Sequence, residues 1–135
     1  MTGQALKATG DLFEKNGKTR QVGDGDELYS EGSASIEVFF VQQGEITLTR
    51  GAGSAHQVVG QKPVGSLVGE SAALDEGSRT VSAVAKGPAT VLVLPAEVFR
   101  KALREDDTLC FEVAVALART LRSTTESASS EQRIS

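Results

Sequence analysis

Glu70 and Arg79 are the residues whose types and spacing best suggest chemistry. They sit in Gly69-Glu70-Ser71-Ala72-Ala73-Leu74-Asp75-Glu76-Gly77-Ser78-Arg79-Thr80, a small-residue turn flanked by apolar runs. A short helix beginning at Gly69 would expose unpaired backbone N–H groups, which favour an anion. Gly69 lets a ligand approach the main chain, and Gly77 can supply a positive φ that returns the chain toward Arg79. The arginine fork matches two phosphate oxygens, where lysine would offer only a point charge. A carboxylate beside it can accept a hydroxyl proton. Together these groups suit a small phosphate-bearing ligand. The bland alternative is an ion pair that closes a turn.

Elements on both sides must position this segment. Leu6, Leu12 and Phe13 fit one side of a short helix ended by Asn16-Gly17. From Lys18 the pattern changes to short strands between turn residues. Ile36–Gln42 holds Val38-Phe39-Phe40-Val41, and Glu45–Thr49 alternates polar and apolar after Gln43-Gly44. Gln57–Gln61 and Ser66–Val68 follow. Thr80–Ala85 and Thr90–Leu94 are separated by Lys86-Gly87-Pro88. About eight strands at this spacing predict a sandwich or barrel.

From Pro95 the period becomes helical. Val98, Phe99, Ala102 and Leu103 mark one helix, and Glu105-Asp106-Asp107 gathers negative charge where a second should start. Leu109, Val113, Leu117 and Leu121 form an i, i+4 line, with Cys110, Ala114 and Ala118 beside it. One of these faces should cover the barrel and the other a partner chain; Leu109, Val113 and Leu117 are expected to carry the output. Cys110 reads as a small core residue. Ser123–Ser135 is rich in Ser, Thr and Glu, and its far end reads as a flexible tail.

Composition narrows the function classes. The 135 residues suit one domain, and hydrophobic and charged contents of 39% and 24% are those of an ordinary soluble protein. The net charge of −4 shows no basic stripe, which disfavours direct nucleic-acid binding. One histidine, His56, and one cysteine argue against a metal site and exclude an intrachain disulfide, so a cytoplasmic setting is expected. No apolar run approaches the ~20 residues that span a bilayer. No nucleophile-elbow serine or Ser/His/Asp arrangement suggests an enzyme.

From about Leu12 to Glu126 the chain resembles the cyclic nucleotide-binding domain, the family found in catabolite activators and in regulatory subunits of protein kinase A. The matching text is Gly25-Asp26-Glu27-Leu28-Tyr29-Ser30-Glu31-Gly32, then Val38–Ile46, then the 69–80 segment, then Leu92–Phe99. The resemblance implies an eight-stranded β-roll or jelly-roll barrel with a short N-terminal helix and two C-terminal helices. It places a binding domain at 1–126 (barrel about 18–95, helices about 96–126) and a tail at 127–135. It implies that Glu70 accepts the ribose 2′-hydroxyl, that Arg79 pairs with the cyclic phosphate, and that Gly69, Ser71 and Ala72 lend N–H groups. Leu48 and Val59 fall where the family lines the base.

Thr124 and Thr125 match a Thr-Ser pair that reaches adenine, favouring cAMP. Thr80 matches a residue that favours guanine, so cGMP ranks second. Val68, Ser78 and Val81 depart from the usual aromatic, proline and small residue; none removes a charged contact. The resulting expectation is a non-enzymatic, stand-alone receptor with no cofactor beyond its ligand. It would form a homodimer through the long C-terminal helix and signal to another protein. The alternative is an interaction module of the same fold that binds no nucleotide.

Overall fold

The computed structural model describes residues 6–134, with side chains through residue 122. Helix α1 (Lys7–Asn16) buries Phe13 completely and stops at Gly17, whose N–H donates to the Phe13 carbonyl at 2.7 Å. Six strands follow: β1 (Lys18–Val22), β2 (Glu27–Tyr29), β3 (Glu37–Arg50), β4 (Gln57–Lys62), β5 (Leu67–Val68) and, after helix α2 (Glu70–Asp75), β6 (Ser82–Pro95). Helices α3 (Ala96–Glu105) and α4 (Asp107–Ile134) complete the described chain. Helix α4 thus continues through residues 127–134, the span that composition reads as a tail.

Strands β3 and β6 pair along their whole length, from Glu37 opposite Pro95 to Thr49 opposite Ser82. Their two halves each gain two more antiparallel partners. β1 and β5 flank one half, with Val22 opposite Ala89 and Phe39 opposite Val68. β2 and β4 flank the other, with Glu27 opposite Val84 and Ile46 opposite Lys62. The result is a jelly roll of two four-stranded wings that share β3 and β6.

The eight expected strands are therefore six continuous ones. Gln43-Gly44 and Lys86-Gly87-Pro88 bend strands rather than ending them. Gly44 sits at φ +82°, and a Cβ there would lie 2.5 Å from the Pro88 carbonyl oxygen. The ladder slips between Val41 and Gln43 and again before Glu45, then resumes at Glu45 opposite Lys86. Such bulges sharpen twist and fold one sheet into two wings.

The contiguous apolar runs have a simple cause. In β3, Val38 joins the cluster under the helices, while Phe39 and Val41 point between the wings. In β6, Leu92 and Leu94 face the helices, while Val91 and Val93 face inward. Both faces of this wing are covered, so alternation disappears from the sequence.

In α4, Leu109 and Val113 are buried and Leu117 packs beside them against Phe13 and Phe99. The face expected to meet a partner is thus the one that seals the core. Leu121 leaves this line and is 68% exposed. Each i, i+4 step turns about 40° around a helix of 3.6 residues per turn, so three steps carry Leu121 out to solvent. Cys110, expected in the core, is exposed. The acidic start behaves as expected: Asp106 Oδ1 accepts from the Leu109 N–H at 3.1 Å, capping α4.

Candidate functional site

A cleft of about 700 Å³ opens between β3, β4, α2, the start of β6 and the middle of α4. Its floor is α2. Gly69 precedes α2 with φ +82°, and no side chain caps the helix, so its first N–H groups face the cleft end. At the other end, Arg100 Nη1 donates to the Ala73 carbonyl at 2.7 Å, and Ala73 is fully buried. The turn out of α2 uses Glu76, not the expected Gly77. Glu76 is left-handed at φ 57°, and its N–H returns to the Ala72 carbonyl, while the Gly77 N–H reaches Asp75 Oδ1 at 2.9 Å.

Arg79 is held from every side. Its N–H donates to the Ser33 carbonyl at 2.9 Å, and its own carbonyl accepts from the Gly32 N–H at 2.8 Å. Nη1 donates to the Gly69 carbonyl at 2.7 Å, and Nη2 to the Glu37 carbonyl. The guanidinium lies 4.0 Å above the Tyr29 ring centre, a cation–π contact. A Cβ on Gly69 would come within 2.5 Å of Nη1, so glycine here makes room for the arginine. The residue is only 4% exposed, and its Nε is a buried donor with no partner among the described residues. An unpaired buried donor is costly unless an acceptor arrives.

Glu70, the first residue of α2, is 5% exposed. Burial raises its pKa above the usual 4.5, opposed by Lys62, by its own backbone N–H and by Arg79. Burial also lowers the Arg79 pKa, against the pull of Tyr29, Glu37 and Glu70. Tyr29 is pushed up to about 12, chiefly by burial, so it stays neutral and offers its ring face.

Of the residues singled out from sequence, Gly69, Glu70, Ser71, Ala72, Arg79, Thr80, Val81, Leu48 and Val59 all line this one cleft. Val68 does not. It is 1% exposed in β5, opposite Phe39, and packs between the wings. Thr124 and Thr125 fall in α4, but their side chains lie outside the described residues.

Sequence reasoning missed Tyr29, Arg50, Lys62 and Arg119, which line the cleft as well. It also missed Val58. Leu48 pairs with Gly60 and Thr49 with Val58, so Val59 is an extra residue in β4. That bulge lets two consecutive valines line one wall, which regular alternation would forbid. Pairing of β3 with β4 is what brings Arg50 and Lys62 to the cleft, and a linear reading holds no sign of it. Tyr29 did lie in a quoted motif, but nothing there predicted its ring under a guanidinium.

Among the described residues the cleft gathers Arg50, Lys62, Arg79 and Arg119 against the single carboxylate of Glu70. This cationic cleft sits in a chain of net charge −4. Apolar surface from Leu48, Val58 and Val59 lies beside it. The arrangement can take an anion at its floor and a flat apolar group on its wall. No group of three or more potential metal ligands exists among the described residues, and none of their helices is long and apolar enough to cross a membrane.

The profile of the cyclic nucleotide-binding domain family matches residues 19–106. No curated protein matches the chain. Among solved structures, the catabolite activator protein of Thermus thermophilus is 26% identical, with a TM-score of 0.78. The match covers 96% of this chain and 61% of that protein, so the chain spans under two thirds of that relative. CLP of Xanthomonas campestris, described as a c-di-GMP responsive global regulator, superposes with a TM-score of 0.78 at 19% identity. That match covers 91% of this chain and 63% of CLP. The regulatory domain of Toxoplasma gondii PKA, crystallised with cAMP, superposes at 0.64 and 21% identity over 75% of this chain and 39% of its own. These last two share the fold.

Proposed function

The chain belongs to the cyclic nucleotide-binding domain family, and from that premise we propose that it is a non-enzymatic receptor for a cyclic nucleotide, with cAMP ahead of cGMP. The observation that carries this reading is the buried, unpaired Arg79 Nε at the floor of a cationic cleft. A cyclic phosphate supplies the missing acceptor, shared with the N–H groups that open α2. Glu70 accepts a ribose hydroxyl, and Leu48 and Val59 cover the base. Support for cAMP comes from the Toxoplasma neighbour, which was crystallised with it.

Binding shifts a population: ligand ties α2 to the β3–β4 wall, and α4, whose Arg119 and Thr120 line the cleft, closes on it. The output surface is the outer line of α4, Phe111, Ala114, Ala118 and Leu121, available to a second copy. Cys110 stands exposed on the same helix and stays reduced in the cytoplasmic setting that this reading assumes.

A competing reading, a nucleotide-independent interaction module, draws on the two backbone carbonyls that Arg79 already satisfies. Calorimetric titration and thermal unfolding separate the two. cAMP at about 100 times its Kd should stabilise a receptor by roughly 2.7 kcal/mol. Arg79→Lys keeps a charge but loses the fork, and should weaken binding by about 2–5 kcal/mol. No stabilisation by either cAMP or cGMP would favour the module.

A further inference from the structure

Resting on the receptor reading, we infer that Lys62, at the end of β4, is a positioning residue of the ligand site. Its ammonium is the main counter-charge of the Glu70 carboxylate and keeps that group a strong acceptor for a ribose hydroxyl. The preference of the site for a ribonucleotide over its 2′-deoxy form therefore runs through Lys62.

The fold aims the two residues at each other. Lys62 is the last residue of β4 and stands opposite Ile46. Residues paired across strands project to the same face. Ile46 packs between the wings in one cluster with Val68, so Lys62 points inward, toward the end of β5. There Val68 is followed by Gly69 and Glu70. The connecting turn is pinned on both sides. Gly65, at φ +90°, donates its N–H to the Val41 carbonyl at 2.9 Å, and the Val41 N–H donates to the Ser66 carbonyl at 3.0 Å. Lys62 is half-buried, and it lines the same cleft as Glu70.

Arg79 is poorly placed for this duty. Its Nη1 and Nη2 are taken by the Gly69 and Glu37 carbonyls, and its guanidinium lies over the Tyr29 ring. Burial raises the Glu70 pKa, and Lys62 opposes that rise more than the backbone N–H or Arg79 does. The other charged side chains of the cleft are Arg50 of β3 and Arg119 of α4. Asp75 lies at the far end of α2, where Arg100 of α3 donates to the Ala73 carbonyl. Among the described residues Lys62 makes no hydrogen bond or ion pair with another side chain, so it acts on Glu70 without occupying its oxygens. A bound cyclic phosphate brings a second anion into the cleft, and a like charge favours protonation of the carboxyl. A lysine on the β4 wall offsets that.

Calorimetry on the full chain with cAMP, cGMP and their 2′-deoxy forms, between about pH 5 and 8, tests this in wild type, Lys62→Met and Lys62→Arg. Wild type should bind the ribonucleotide tighter than its deoxy form. Lys62→Met should cut that preference by about fivefold or more at neutral pH. The ratio cancels any general attraction of the cleft for anions. On acidification, ribonucleotide affinity should begin to fall at a higher pH in Lys62→Met than in wild type, because Glu70 without Lys62 holds its proton to higher pH. Lys62→Arg should restore both. Melting of the ligand-free protein gives a readout that needs no nucleotide. At neutral pH Lys62→Met should lower the unfolding temperature by about 2 °C or more, and by about half as much or less when Glu70→Gln is already present. An unchanged preference, or equal thermal losses in the two backgrounds, would overturn the role of Lys62 while leaving nucleotide binding in place. Absence of binding by cAMP and cGMP alike would overturn this inference together with the receptor reading.

Discussion

Glu70 carries a carboxylate that is almost wholly withdrawn from water at the mouth of α2. Its pKa is raised in the fold, so the native state holds the proton more tightly than the unfolded chain does. The contribution of this group to stability is therefore full below the ordinary carboxylate range and is lost as pH rises through its folded value. At neutral pH the ionised form is kept at a cost. Glu70→Gln should make the ligand-free protein more stable than wild type at neutral pH, with the advantage shrinking toward about pH 4. The same change should weaken cAMP binding, because an amide accepts a ribose hydroxyl less strongly than a carboxylate does. Melting curves across pH decide the first part; a difference that ignores pH would mean that burial of the charge is not its cause. Arg79 shows the same logic in the opposite sign: a cation kept dry, steadied by a ring and two carbonyls, with one donor in reserve.

Helix α1 starts without a cap of its own, since Leu6 offers no side-chain acceptor. Glu112 of α4 supplies one. Its carboxylate accepts from the Ala8 N–H at 2.9 Å and from the Thr9 N–H and hydroxyl at 3.0 Å each. An anion at a helix N-terminus is favourable, and Thr9 is fully buried beneath it. Glu112→Ala strands a buried hydroxyl and should cost about 1–3 kcal/mol in denaturant unfolding. Glu112→Gln keeps one of the two accepting oxygens and loses the charge, and should cost less than the alanine change, about 0.5–2 kcal/mol. Faster amide exchange at Ala8 and Thr9 would locate the effect, and an unchanged midpoint for the alanine variant would refute it. The clasp also ties α1 to α4, so a shift of the long helix carries the first helix with it.

At the scale of the molecule, α4 has two sides with different duties. Leu109, Val113 and Leu117 close the core, while Phe111 and Leu121 stand 70% and 68% exposed with Ala114 and Ala118 between them. Spacings of three, four and three residues are those of a coiled-coil seam. Sedimentation should therefore show a dimer whose dissociation constant rises about tenfold or more in Phe111→Glu, a loss of at least about 1.4 kcal/mol. The unfolding temperature of the dissociated chain should hold, because that face seals nothing. A wild-type chain that stays monomeric at high concentration would discard the seam.

Local patterns carried much of this. The helical periods, the apolar runs of β3 and β6, and the Gly69–Arg79 segment were all legible, because each depends on neighbours a few residues away. Nine of the twelve site residues named from sequence line one cleft. Legibility failed where distant segments meet. Gly44 bends a strand because Pro88 lies against it, and Val68 turns inward because Phe39 sits opposite. Arg50 and Lys62 reach the cleft only through the pairing of β3 with β4. Which side of α4 is buried depends on where α1 and α3 stand. Residue types and spacing determined what chemistry the chain can offer; the tertiary structure alone decided which charges face one another, because strand pairing and burial are relations between segments far apart in sequence.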